Sequence, residues 1–415
     1  MSHFKTHCKA LAKYAFKAFR DIFTNLFATP LKPKNHKTIL ILRIDAIGDF
    51  VLFSPFIKQI RQYFKHYHIT LMANSINENL ALGLHKKYID DFIFISPKKF
   101  QRNLIYRIRF LNKLKKKEFF LCLNPIYSRD IACNELISRI NASILLTPSG
   151  DKNNMPSDIK SNDSYYTRLT PCKDEILFEY YRNSEFISYV FKTLKNLCNL
   201  QGDYKMPKAR IDVRTLPPLE QILDKNTLDS IKNHYCILFI GASAKYRQYS
   251  IENFAKIALH LLTQHKQNII ICGGKEDKIN ANKLLHLIKA NAINLYDKSI
   301  INFCGETTLM QLATLVYNGN LVVSNETSAA HFAAFLDTAI IAVYNGNHLG
   351  RFIPYPQGIS DKYYPVFHPF ITANPDKYKD LSNSFSCKSE LDINEIKANE
   401  VIKTIDTILR STNAK

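Results

Sequence analysis

The sequence predicts an α/β protein built from two doubly wound parallel sheets, and three observations carry that prediction. Short unbroken runs of branched apolar residues recur along the chain, the pattern of strands buried on both faces of a parallel sheet. Each run ends in a tight turn and leads into a stretch with apolar residues at helical spacing. The alternation runs once from Thr38, gives way to a proline-bearing segment over 202–218, and restarts at Tyr235. With 415 residues, 46% of them hydrophobic, the chain is long enough for two domains with separate cores and a cleft between them. The expected divisions are 1–37, 38–205, 206–395 and 396–415.

Residues 2–27 place Phe4, Cys8, Leu11, Ala15, Phe19, Ile22 and Leu26 on one helical face and Lys5, Lys9, Lys13, Lys17 and Arg20 on another. Two readings of this basic amphipathic helix stand: it lies on an anionic membrane surface, or it packs on the protein itself. Lysines at every turn exclude a secretory signal core, and no apolar run reaches the ~18 residues that span a bilayer. Nine scattered cysteines without a Cys-x-x-Cys pair read as reduced thiols of a cytosolic protein.

The first strand opens with Ile39-Leu40-Ile41-Leu42, and the run breaks at Asp45 to Asp49, a short turn containing Gly48, before the following helix. Asp49 stands near the positive end of that helix, where a carboxylate either caps the backbone or takes a proton from an incoming hydroxyl. Strands follow at 69–73, 92–95, 119–124 and 144–146, with a basic helix expected over 100–117 and a loop over 148–175. A helix is expected over 176–200. The second half repeats the pattern with strands at 235–240, 268–272, 321–324 and 339–343, helices at 251–265 and 277–291, and a closing helix at 394–409.

The turns of the second half carry the chemistry. Gly241-Ala242-Ser243 exposes backbone amides after a strand, with Lys245 and Arg247 close behind, a combination suited to a diphosphate. Neither a P-loop nor Gly-x-Gly-x-x-Gly occurs, which argues against an ATPase and against a nicotinamide dehydrogenase. Glu326, Thr327, Ser328 and His331 add a carboxylate, two hydroxyls and an imidazole, the groups a nucleotide-sugar uses, although a lone helical histidine also serves as a satisfied core residue. No His-Glu-x-x-His and no Asp-x-Asp stands beside a strand end, so neither a metal site nor a cofactor is expected. Lys and Arg outnumber Asp and Glu by 56 to 36, a net charge of +20 that favours anionic partners. No nucleic-acid module accompanies the charge, so nucleic-acid binding is the rival reading rather than the preferred one.

Arg43-Ile44-Asp45-Ala46-Ile47-Gly48-Asp49 with Pro55 resembles the opening signature of the heptosyltransferases, glycosyltransferase family 9. The resemblance continues through Gly241-Ala242-Ser243, Glu252-Asn253-Phe254, Gly273-Gly274, Gly305-Glu306-Thr307, Asn325 to His331 and Arg351-Phe352, in the family's order. It implies a GT-B fold of two Rossmann-like domains and an inverting, metal-independent transfer of a sugar, most commonly heptose from ADP-heptose, to lipopolysaccharide core. It implies residues 38–205 as the acceptor side and 206–395 as the donor side, at the cytoplasmic face of a bacterial inner membrane. Asp49 matches the general base, with Arg43 and Gly48 beside it on the acceptor side. Gly241, Ala242, Ser243, Lys245, Arg247, Thr307, Glu326, Thr327, Ser328 and His331 match the donor site. The chain departs from the family where Arg247 replaces a lysine, Glu326 an aspartate and Ser328 a glycine, and where Asn345 to Arg351 replace the usual loop. A longer acid and an added side chain reshape the donor pocket. A donor-binding protein without catalysis is a further reading that these replacements raise and Asp49 opposes.

Overall fold

The computed structural model describes residues 37–151, 153–156, 163–173, 175–231, 234–291, 300–386 and 388–413. The helix expected over 2–27 lies outside them. In chain order the main elements are β1 (Thr38–Arg43), α1 (Ile47–Tyr63), β2 (His68–Asn74), α2 (Glu78–His85), β3 (Asp91–Ile95), α3 (Pro97–Arg102), α4 (Leu104–Lys115), β4 (Glu118–Leu123), α5 (Ile131–Ile137), β5 (Asn141–Pro148), β6 (Arg168–Thr170) and α6 (Glu179–Leu194). There follow α7 (Lys225–Ile231), β7 (Tyr235–Phe239), α8 (Ile251–Gln264), β8 (Asn268–Cys272), α9 (Lys278–Asn291), β9 (Ile300–Asn302), α10 (Leu309–Asn318), β10 (Leu321–Asn325), α11 (Ser328–Leu336), β11 (Ile340–Tyr344), β12 (Tyr363–Phe367), α12 (Pro369–Thr372), α13 (Tyr378–Ser384) and α14 (Ala398–Asn413).

One compact unit holds the first sheet, from the start of the described chain to Asp45, with Phe64–Ile76 and Ile89–Cys172. Its six parallel strands run β3-β2-β1-β4-β5-β6. The branched run of β1 is fully buried, as a central parallel strand requires, with Ile39 to Leu42 at 0% exposure. Two expectations are corrected here. The helix over 100–117 is two helices, because Asn103 adopts an extended conformation and its side chain accepts the Tyr106 N–H at 2.9 Å, capping α4. The segment over 148–175 contains β6, a strand too short and polar to show a period.

The second unit comprises Ala46–Tyr63, Asn77–Tyr88 and the chain from Lys173. Its six parallel strands run β12-β11-β10-β7-β8-β9. Both sheets thus have the strand order of a doubly wound fold, and in the second the order reverses between β7 and β10. Ligands of such sheets bind where that reversal leaves a crevice at the carboxyl ends of the strands. The sequence reading missed β9 and β12. The latter carries Pro365, which a strand tolerates at the sheet edge that β12 occupies. Helices α1 and α2 cluster with this unit: α1 packs on α11 and α6, and α2 on α10, where Asn79 accepts the Met310 N–H at 3.0 Å.

Candidate active site

Asp49 lies in the first turn of α1, favourably placed against the helix dipole, and the following Phe50 to Phe53 are fully buried. This end of α1 abuts α11. A Cβ added to Gly48 would stand 2.7 Å from His331 Cδ2 and 3.1 Å from His331 Nε2, so only glycine permits the approach. His331 is buried, and its Nδ1 is 2.6 Å from the Tyr355 hydroxyl. Burial lowers the imidazole pKa to about 4, and the Asp49 carboxylate draws it partly back up. Burial also holds the Tyr355 phenol well above its ordinary value. Both groups are therefore neutral at physiological pH. A phenol donating to Nδ1 leaves the imidazole hydrogen on Nε2, the nitrogen that faces Gly48 and the Asp49 turn.

The turn after β7 is fixed to the end of β10. Asn325 Nδ2 donates to the carbonyls of Ile240 (3.0 Å) and Gly241 (3.2 Å), and its Oδ1 accepts the Tyr249 N–H at 3.1 Å. Gly241 is required by a second close approach, since an added Cβ would lie 2.0 Å from the Asp277 carboxylate that accepts the Gly274 N–H at 2.7 Å. Thr327 caps α11 and its hydroxyl lies 3.0 Å from Ser324 Oγ. Ser328 is the first residue of α11.

Arg247 spans these two turns. Its Nη2 donates to Ser243 Oγ at 2.5 Å, and Nη1 lies 3.8 Å from the buried Glu326 carboxylate. Its Nε, also shielded from solvent, makes no hydrogen bond within the described residues. Glu326 further accepts from Asn347 Nδ2 at 3.2 Å, and His348 Nδ1 stands 3.8 Å away. His348 is held in the left-handed region at φ 54°, a conformation that costs a non-glycine residue on the order of 1 kcal/mol. Tyr344 donates to the Asn347 carbonyl and Tyr246 to its Oδ1 at 3.3 Å, so aromatic hydroxyls fix the loop that faces Glu326.

Of the residues singled out in the sequence, Gly241, Ser243, Arg247, Glu326, Thr327, Ser328 and His331 lie on the two turns at the strand-order reversal, and Gly48 packs against His331. Ala242 accepts from Gln248 Nε2 at 2.9 Å through its carbonyl, and Lys245 is exposed on the same turn. Thr307 follows β9 at the opposite edge of the sheet, two strands from β7. Arg43, buried at the end of β1, pairs with Asp45 at 3.2 Å in the first unit. Tyr355, Asn347, His348 and Asp277 were not anticipated as site residues. The polar loop Asn345 to Arg351 was the available signal for two of them.

Residues 181–362 match the family model for glycosyltransferase family 9 (heptosyltransferase). The chain is 23% identical over 335 residues to the lipopolysaccharide core heptosyltransferase OpsX of Haemophilus influenzae, covering 79% of this chain and 84% of that one. A family 9 glycosyl transferase from Veillonella parvula superposes with a TM-score of 0.62 at 17% identity, over 92% of this chain and 99% of that one. The ADP-heptose lipopolysaccharide heptosyltransferase II of E. coli does so with a TM-score of 0.60 at 14% identity, over 91% and 99%. These likenesses agree with the GT-B class of the two doubly wound sheets. Residues 181–362, which match the family 9 model, hold every turn that converges on Arg247 and Glu326, and the chain that carries them is a glycosyltransferase.

Proposed function

We propose that this protein transfers heptose from ADP-heptose to the core of lipopolysaccharide, with inversion at the anomeric carbon and with cationic side chains and backbone amides, rather than a metal ion, stabilising the leaving group. The observation that carries the reading is the juncture of α1 and α11. It puts the turn bearing Asp49 against His331, on the helix whose preceding turn, at Glu326, meets Arg247. In the proposed step the Asp49 carboxylate takes the proton of an acceptor hydroxyl as its oxygen bonds to the anomeric carbon. The bond from that carbon to the phosphate oxygen breaks, and its electron pair leaves with ADP. Arg247, Lys245 and the amides of Gly241 to Ser243 neutralise the departing diphosphate. His331 stays neutral and orients the base, while Glu326 and Thr327 bind sugar hydroxyls.

In the same reading residues 38–205 bind the acceptor and 206–395 the donor. Among the described residues no helix is long and apolar enough to cross a membrane. The basic N-terminal stretch gives peripheral contact with the anionic cytoplasmic face of the inner membrane, and the net charge of +20 supports that contact. A thermal-shift panel of ADP-, GDP- and UDP-linked sugars tests the donor. A ligand at one hundred times its dissociation constant stabilises by ~2.7 kcal/mol. A shift with ADP-heptose is the expected result, and a shift with another nucleotide alone overturns the assignment.

A further inference from the structure

At the C-terminal end of α8, the end away from the Lys245 to Arg247 turn, two helices far apart in sequence bring three metal-ligating side chains to one point. Leu261 and Leu262 of α8 share a core with Ile405, Ile408 and Leu409 of α14. At the rim of that contact His260 Nε2 lies 2.6 Å and His265 Nε2 2.7 Å from the same oxygen, Asp406 Oδ1. His265 is the residue that closes α8, so the helix end itself aims its ring. All three ligand atoms lie within 4.8 Å of one another. The side chains of His260, His265 and Asp406 are 20%, 8% and 27% exposed, so the cluster is held on its inner side and open to water on its outer side.

We propose that His260, His265 and Asp406 bind a divalent transition-metal ion of the zinc class, which staples α14 to α8. Two imidazoles and a carboxylate are a donor set for such ions, with water completing the tetrahedron. Ligand bonds of 2.0–2.2 Å about a tetrahedral ion separate the ligand atoms by about 3.3 Å, a spacing side-chain rotation reaches from the present one. Without metal each Nε2 carries a hydrogen and donates it to Oδ1. In the bound form each neutral ring carries its hydrogen on Nδ1 and gives the Nε2 lone pair to the ion. The second carboxylate oxygen lies 3.7 Å from the exposed Arg410 guanidinium. The site is remote from the proposed transfer chemistry, and its role is to hold the C-terminal helix.

The test uses the full chain titrated with Zn²⁺ by calorimetry and thermal melting, and with Co²⁺ by visible absorption. His3, His7 and Cys8 offer a rival ligand set near the start of the sequence, and a thiolate charge-transfer band would betray it. The expected result is one equivalent of Zn²⁺ that raises the melting temperature, and a Co²⁺ spectrum without a thiolate band. His260→Ala/His265→Ala should abolish that equivalent, and Asp406→Asn, which keeps an acceptor for both rings, should weaken it at least tenfold. If the double variant does not fold, Asp406→Asn decides. Equal stoichiometry and equal melting shifts in the wild type and Asp406→Asn overturn the proposal, as does a thiolate-dominated spectrum.

Discussion

Gly48→Ala probes the contact on which the proposed chemistry depends. The added Cβ would meet His331 Cδ2 at 2.7 Å, against the 3.4 Å at which ordinary contact begins, so about 0.7 Å of movement is required. The ring has little room to supply it. It is buried, bonded at Nδ1 to Tyr355 at 2.6 Å, and faced by Phe352 at 6.0 Å and Tyr355 at 5.8 Å between ring centres. Much of the shift therefore falls on α1 and displaces the adjacent Asp49. Overpacking of this kind costs about 1–3 kcal/mol, partly offset by the roughly 0.5–1 kcal/mol that alanine gains over glycine in a helix. Rate is more sensitive, since displacing a catalytic group by ~1 Å costs up to ~100-fold. Steady-state turnover with saturating donor, measured beside a thermal melt, should show kcat falling tenfold to a hundredfold while the melting temperature drops by a few degrees. Turnover within twofold of wild type would refute the reasoning.

Arg247→Ala should weaken ADP-heptose binding by about ten- to a hundredfold, the ~1.5–3 kcal/mol of hydrogen bonds from a charged donor, whereas Arg247→Lys should retain much of it. An unchanged dissociation constant by calorimetry would remove Arg247 from the donor site. Stability should fall on acidification below about pH 6.5. Burial lowers His85 to about 3 and His331 to about 4, so the unfolded chain takes up their protons first. Each ring withdraws on the order of 1 kcal/mol per pH unit down to its folded value. Urea melts across pH 7 to 4 should show the decline, and His85→Gln, which preserves a partner for Ser54 Oγ at 2.9 Å, should lessen it. The same acid slope in that variant would exclude His85 as a source.

Both sheets were legible because their central strands are fully buried and read as unbroken apolar runs, as in Ile39 to Leu42 and Ile269 to Ile271. The edge strands were not. β6 and β9 have three residues each, and β12 is interrupted by Pro365. Asn103 stands inside an otherwise helical pattern, and only its side-chain bond to Tyr106 N makes it a boundary. The turns after β7 and β10, which Asn325 and Arg247 join, were legible as turns from their small residues and following cations. Tyr355 reaches His331 from a loop without a period, and no spacing announces that Gly48 touches His331. His260, His265 and Asp406 escaped notice for the same reason, because α14 must dock on α8 before they meet.

The central claim is that Asp49 is the base, and Asp49→Ala tests it most directly. The protein should bind ADP-heptose with an affinity within a fewfold of wild type while transfer to a lipopolysaccharide acceptor falls by about 10²–10⁴-fold, the range a positioned general base supplies. Undiminished turnover in that variant would contradict the account.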